Sequence, residues 1–129
     1  MARDIDIDQL VSEITRAVQE YTDDVEKGID QHLDEVAEKV RQEAETSAPK
    51  HTGKYAKGFK VSDQSKGTLK RLVVWNKKHS RRVHLLEFGH AKRGGGRVRA
   101  YPHLRPAYEH HAAHLADDIK RIIRNGGNG

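Results

Sequence analysis

Nine histidines are the first residues in this chain whose types could do chemistry. His110 and His114 stand four apart in a segment of helical periodicity, with Glu109 and His111 beside them, and two imidazoles one helical turn apart can chelate a divalent metal. The helical zinc-protease arrangement needs a glutamate directly after the first histidine, and His111 occupies that place. No metal site is therefore assigned. Glu87 lies between His84 and His90, which has the makings of an acid/base group, but no nucleophile or second carboxylate accompanies it. No catalytic residue is assigned, and the chain is expected not to be an enzyme. Gly94-Gly95-Gly96 lacks the Lys-Ser/Thr ending of a phosphate-binding loop, so no nucleotide or other cofactor is expected.

The cations are harder to set aside. Lys77, Lys78, Arg81 and Arg82 form one basic run, and Lys92, Arg93, Arg97 and Arg99 surround the three glycines in another. Both runs suit phosphate contacts whose strength falls with salt, although no base-reading motif or stacking platform stands beside them. A basic, nonspecific nucleic-acid-binding domain is thus one reading of the chain, and a metal-dependent hydrolase is a distant third.

The 129 residues fit one domain, 1–129, with 35% hydrophobic and 33% charged residues, so the core must be small and much surface is left for solvent or partners. The net charge of +5 hides a polarity. Residues 1–49 hold five Lys and Arg against fourteen Asp and Glu, residues 50–105 hold sixteen against two, and residues 106–129 hold three against three. An acidic segment and a strongly basic one can pair between copies, or the basic one can meet nucleic acid. The absence of cysteine excludes disulfides, thiolate metal sites and thiol nucleophiles. No apolar run approaches the roughly 18 residues of a membrane span, and the acidic start is unlike a signal peptide, so no membrane association is expected and synthesis in the cytoplasm is.

The elements that must position these groups read as α+β. From Asp8 to about Ser47, Leu10, Ile14, Ala17, Tyr21, Val25, Ile29, Leu33, Val36, Val40 and Ala44 recur every three or four residues, the pattern of a long acidic amphipathic helix within 1–48. Asp8 suits its N-cap, Pro49 stops it, and Gly28 leaves open whether it is continuous or bent. The region 49–104 reads as a small antiparallel sheet of three to four strands, near Ala56 to Ser62, Thr68 to Trp75 and Arg82 to Phe88, with a flexible basic loop at 91–99. A C-terminal helix within 105–125 starts at Pro106, packs on the sheet and ends at Gly126-Gly127.

Three segments together resemble one family. Ser47-Ala48-Pro49-Lys50-His51-Thr52-Gly53-Lys54-Tyr55 is similar to an "APxxTGxL" signature, Leu85-Leu86-Glu87-Phe88-Gly89-His90 to a "VEFGT" strand end, and Tyr101-Pro102-His103-Leu104-Arg105-Pro106-Ala107 to a "PFLRPALE" helix entry. These belong to the gene-product-ten-like tail-completion, or head-to-tail joining, proteins of long-tailed phages, related to the lambda minor tail protein Z type. The resemblance marks Pro49, Thr52, Gly53, Glu87, Phe88, Gly89, Pro102, Leu104, Arg105, Pro106 and Ala107 as family-motif positions with a mainly structural role. Tyr55, His90 and His103 depart from it, standing where leucine, threonine and phenylalanine are usual. The resemblance implies a virion protein of the neck, assembled in the host cytoplasm into a homo-oligomeric ring, a hexamer favoured over a dodecamer. Its partners would be the head connector and the tail-terminator or tail-tube proteins, with Lys92 to Arg99 docking on them or lining a channel for passing DNA.

Overall fold

A computed structural model describes residues 6–49, 53–67 and 69–128. Thr52 and Thr68 lie outside the described residues. The element order is α1 (Ile7–Ser47), a short 3-10 turn (Ala56–Gly58), β1 (Phe59–Asp63), β2 (Leu72–Asn76), α2 (Ser80–Phe88), β3 (His90–Ala91), β4 (Arg97–Val98), α3 (Leu104–Ala112) and α4 (Leu115–Arg124). The class is α+β with a long N-terminal helix. The chain divides into two compact units, one joining the segment up to His32 to Ala116 onward, the other spanning Leu33–Leu115.

Helix α1 runs through Gly28 without a break. It begins one residue before the expected N-cap: the Leu10 N–H donates to the Asp6 carbonyl at 3.0 Å, and Asp8 falls in the first turn, where its charge favours the helix dipole. Pro49 ends it, since a residue before proline is driven out of the helical region.

In the first unit α4 lies against α1. The Tyr21 hydroxyl donates to the Ile123 carbonyl, His32 Nε2 meets Asp118 Oδ2 at 3.0 Å, and Ile122 is buried. Gly28 has a packing role here instead of a kinking one. A Cβ at this position would stand 2.4 Å from the Gly127 carbonyl oxygen and 3.0 Å from Ile122 Cγ2. The C-terminal end of α4 approaches this closely because it is capped by left-handed glycines. Gly126 (φ 66°) donates to the Ile123 carbonyl and Gly127 (φ 100°) to that of Ile122 at 2.8 Å, the two bonds of a Schellman cap. Gly28→Ala, worth roughly 1 kcal/mol of stabilisation in an open helix, is therefore expected to destabilise. Thermal unfolding followed by circular dichroism checks the sign, and a raised Tm contradicts the close approach.

In the second unit the core gathers Val40 and Ala44 of α1, Ala48, Tyr55, Ala56, Phe59 of β1 and Ala107 of α3, with Val36, Val74, Val83, Leu86 and Leu104 packed on them. Strands β1 and β2 pair antiparallel with Phe59 opposite Asn76 and Val61 opposite Val74. Three of the sequence expectations are corrected in this region. First, Arg82 to Phe88 is helix, not strand. Its short apolar run Val83, Leu85 and Leu86 has no period that distinguishes the two, and tertiary packing decides by turning Val83 and Leu86 onto the core. Second, the sheet of three to four strands is two separate two-stranded pairs, β1 with β2 and β3 with β4. Third, the loop at 91–99 is largely a hairpin: His90 pairs with Val98 and Ala91 with Arg97, and the Lys92 N–H donates to the Gly96 carbonyl at 3.0 Å. Gly95 and Gly96, at φ 103° and 79°, close its turn.

The expected C-terminal helix is also divided. Regular hydrogen bonding ceases at Ala112 and resumes at Leu115, and only α3 contributes to the core that holds the β1–β2 sheet. No glycine or proline marks that break.

Candidate functional site

Glu87 ends up at the last turn of α2, where its carboxylate is 8% exposed and faces the start of α3. Oε1 accepts from the backbone N–H of His103 at 2.8 Å and of Leu104 at 2.7 Å, and Oε2 accepts from that of Arg105 at 3.3 Å. The next residue, Pro106, has no N–H to satisfy. A single side chain thus accounts for the amide donors of the first turn of α3 and places a negative charge at the positive end of its dipole. Gly89 adjoins it in the left-handed region (φ 71°), and a Cβ there would come within 2.6 Å of the Val98 carbonyl oxygen, so β4 passes where only glycine fits. The Leu86 carbonyl accepts from the Tyr101 N–H at 2.6 Å and completes the join.

His103 fills the middle of this junction. It is 1% exposed and ring-stacked edge-on with Tyr55 and Phe59. Burial, and secondarily the nearby Glu87 charge, hold the Tyr55 phenol well above its ordinary pKa, so it stays a neutral hydroxyl. His103 Nδ1 faces two acceptors, the Tyr101 carbonyl at 2.9 Å and Glu87 Oε1 at 2.9 Å, which places the ring N–H there and leaves Nε2 to accept from the Tyr55 hydroxyl at 2.5 Å. Asn76 ties in the other side, donating to the Tyr55 carbonyl at 2.7 Å and accepting from the His79 N–H at 3.1 Å. These groups organise backbone, and Glu87 also lines the groove between α1, β2, α2 and α3.

His114 falls in the turn after α3, and the donor set found among the described residues joins His110 and His111 to Glu43, to which the sequence gives no local pointer. Glu43 Oε1, from α1, lies 2.6 Å from His110 Nδ1 and 3.0 Å from His111 Nε2. The three donor atoms sit within 4.8 Å of one another, a set able to hold a divalent cation. His110, and then His111, lower the Glu43 carboxyl below its ordinary 4.5. A folded-state pKa below the unfolded one adds stability that is present above about 4.5 and lost as pH falls through the depressed value. The stability difference between the wild type and Glu43→Gln should accordingly shrink on acidification below 4.5, read as two Tm series against pH.

The basic residues stay at the surface. Lys77, Lys78, Arg81 and Arg82 surround the β2–α2 turn, with the Arg82 guanidinium 5.9 Å over the Tyr55 ring. Lys92, Arg93, Arg97 and Arg99 are exposed along the β3–β4 hairpin, and Arg97 Nη2 donates to the Phe88 carbonyl at 3.1 Å, so its charge helps close α2. Of the family-motif residues, Gly53 takes a left-handed conformation (φ 79°), Ala107 is fully buried, and Phe88 is exposed.

Two apolar faces remain open to solvent. On α1, Ile7, Leu10, Val11, Ile14 and Val18 are each 46–76% exposed. In the second unit a groove of about 700 Å³ runs between the α1 residues Val36 and Val40, strand β2 and helices α2 and α3, with exposed Phe88 and Tyr108 among its lining. Large uncovered apolar faces of this kind mark sites where other protein surfaces pack. The geometry defines a small α+β chain with uncovered apolar faces. Residues 12–89, more than half of the chain, match the family model described as "Bacteriophage HK97-gp10, putative tail-component". The chain belongs to that family and is a structural tail component of a tailed bacteriophage, located in the virion. The match takes in Glu87-Phe88-Gly89 and ends before Tyr101 to Ala107. No curated protein and no solved structure matches the chain. No helix among the described residues is long and apolar enough to cross a membrane.

Proposed function

We propose that the protein assembles into a homo-oligomeric ring at the phage neck, where it completes the tail or joins it to the head. The observation that carries this reading, beside family membership, is the pairing of open apolar faces with polarised charge: an acidic α1 and a basic middle segment on one chain. Heterologous contacts between unlike surfaces generate rings when the rotation closes. Six copies match the symmetry of a tail better than twelve. The ring then meets the head connector on one side and the tail-terminator or tail-tube protein on the other, and no group on the chain is required to do chemistry. Light scattering and negative-stain imaging of the purified protein, alone and added to tail or head fractions, test the reading. Closed rings or specific insertion into necks are expected; a strict monomer that binds neither fraction overturns it.

The hairpin at 90–98 fits a docking loop or a channel lining. Because Arg97 is engaged with the Phe88 carbonyl, the informative charge reversal is at Lys92, Arg93 and Arg99 only. Loss of head-to-tail joining with DNA retention unchanged is the expected result for this triple variant. A selective loss of salt-dependent DNA binding, with joining intact, favours the nucleic-acid reading instead.

A further inference from the structure

The exposed apolar stripe of α1 and the groove of the second unit are both uncovered and apolar, and their edges carry charge of opposite sign. At 3.6 residues per turn Ile7, Leu10, Val11, Ile14 and Val18 fall within a sector of roughly 120°, a helix face about 17 Å long. Tyr21 continues the stripe and is occupied by α4 through its bond to Ile123, but from Val18 towards the N-terminus no described element covers it. Along one edge of the stripe lie Asp6, Glu13, Glu20 and Asp24, and between residues 6 and 26 Arg16 is the sole cation against seven acids.

The groove offers the converse. Its floor is aliphatic, from Val40, Val74, Val83 and Leu104, its lips are Phe88 and Tyr108, 57% and 60% exposed, and its rim carries Lys70, Arg71 and Arg105 against one acid, Glu87. Lys70 also meets Asp34 at 3.3 Å and Arg105 meets Glu109 at 3.0 Å, surface pairs that an acidic helix would share. An amphipathic helix laid in such a groove buries its apolar face while its acidic edge meets the cationic rim, which sets orientation as well as contact. We infer that the α1 segment Ile7 to Val18 of one copy docks in the Val74–Tyr108 groove of a second copy of this chain. The inference deepens the ring reading and rests on it for the claim that copies associate. The occupant is a second copy because the chain itself carries an uncovered helix face, apolar along its stripe and acidic along its edge, to set against an aliphatic floor with a basic rim. The contact is heterologous, stripe into groove, so every copy keeps one stripe and one groove free until a ring closes.

The chain has no native cysteine, so single substitutions report contacts cleanly. Val18→Cys and Tyr108→Cys proteins are mixed and oxidised mildly, with Ser12→Cys, on the opposite face of α1, replacing Val18→Cys as the control. A disulfide between V18C and Y108C chains, absent with S12C, is expected. Ile14→Asp/Val18→Asp, both at exposed positions that leave the core untouched, should shift the light-scattering mass to monomer with unchanged helicity. Rings that survive I14D/V18D and give no V18C–Y108C disulfide overturn the docking and leave the ring reading standing. Open chains that carry the disulfide uphold the docking and sink the ring. A disulfide formed within one V18C/Y108C chain at high dilution makes the chain's own helix the occupant and overturns the second-copy assignment. Monomers without any disulfide overturn both.

Discussion

Glu87→Ala is expected to cost about 3 kcal/mol and lower the Tm by roughly 10 °C. The side chain is small and the cavity it leaves is minor. The effect comes from donors: the N–H groups of His103, Leu104 and Arg105 lose their shared acceptor, and two of the three bonds are part-buried. Each hydrogen bond to a charged group contributes about 1.5–3 kcal/mol where water cannot replace it, and solvent reaches Arg105 more readily than His103. Glu87→Gln separates charge from hydrogen bonding. The amide oxygen accepts as before, but the NH2 turns a donor towards backbone donors and the favourable charge at the α3 dipole is lost, so Gln should recover only part of the loss. A Glu87→Gln protein as stable as wild type would show that the cap works by shape alone. Under the proposed docking the consequence extends to assembly. α3 supplies Leu104 and Tyr108 to the groove, so a frayed α3 start should weaken association before the fold is lost.

How far the sequence discloses this arrangement depends on how local each interaction is. The 3.6-residue recurrence of apolar positions marked α1 almost to its ends, because a helix of 41 residues repeats its signal many times. The β1 and β2 segments were recognisable from β-branched and aromatic residues between turn residues, with their boundaries shifted by a few positions. Helix α2 was misread because nine residues give fewer than three turns, and Val83-His84-Leu85-Leu86 fits a buried strand equally well. The triad of Glu43, His110 and His111 was out of reach for another reason: its members are 67 and 68 residues apart, and only the fold of α3 onto α1 brings them together. Glu87 was visible as a motif residue. Its acceptors' partners, 16 to 18 residues downstream, were not visible. Of the unpartnered stripe on α1, Leu10 and Ile14 were legible as periodicity, whereas Ile7, Val11 and Val18 and the exposure of the whole face required the position of α4, which meets the helix at Tyr21.

The two departures at Tyr55 and His103 explain each other, and a double-mutant cycle should reveal it. Leucine and phenylalanine in these places would meet as plain core residues; tyrosine and histidine meet as a buried hydrogen bond across 48 residues of sequence. Tyr55→Phe leaves His103 Nε2 without a donor in a site 1% exposed, at an expected cost of about 2 kcal/mol. His103→Phe strands the Tyr55 hydroxyl, which burial keeps protonated and in need of an acceptor, and should cost at least as much. The double variant Tyr55→Phe/His103→Phe removes donor and acceptor together, so its loss should fall short of the summed singles by about 1–2 kcal/mol. Recovery is incomplete because His103 Nδ1 also serves the Tyr101 carbonyl and Glu87, and those groups must rearrange around a phenyl ring. Strict additivity in chemical denaturation would mean that the two polar groups are satisfied independently. A coupling of the expected size would mean that the pair acts as one unit, in which losing the second residue costs little beyond losing the first.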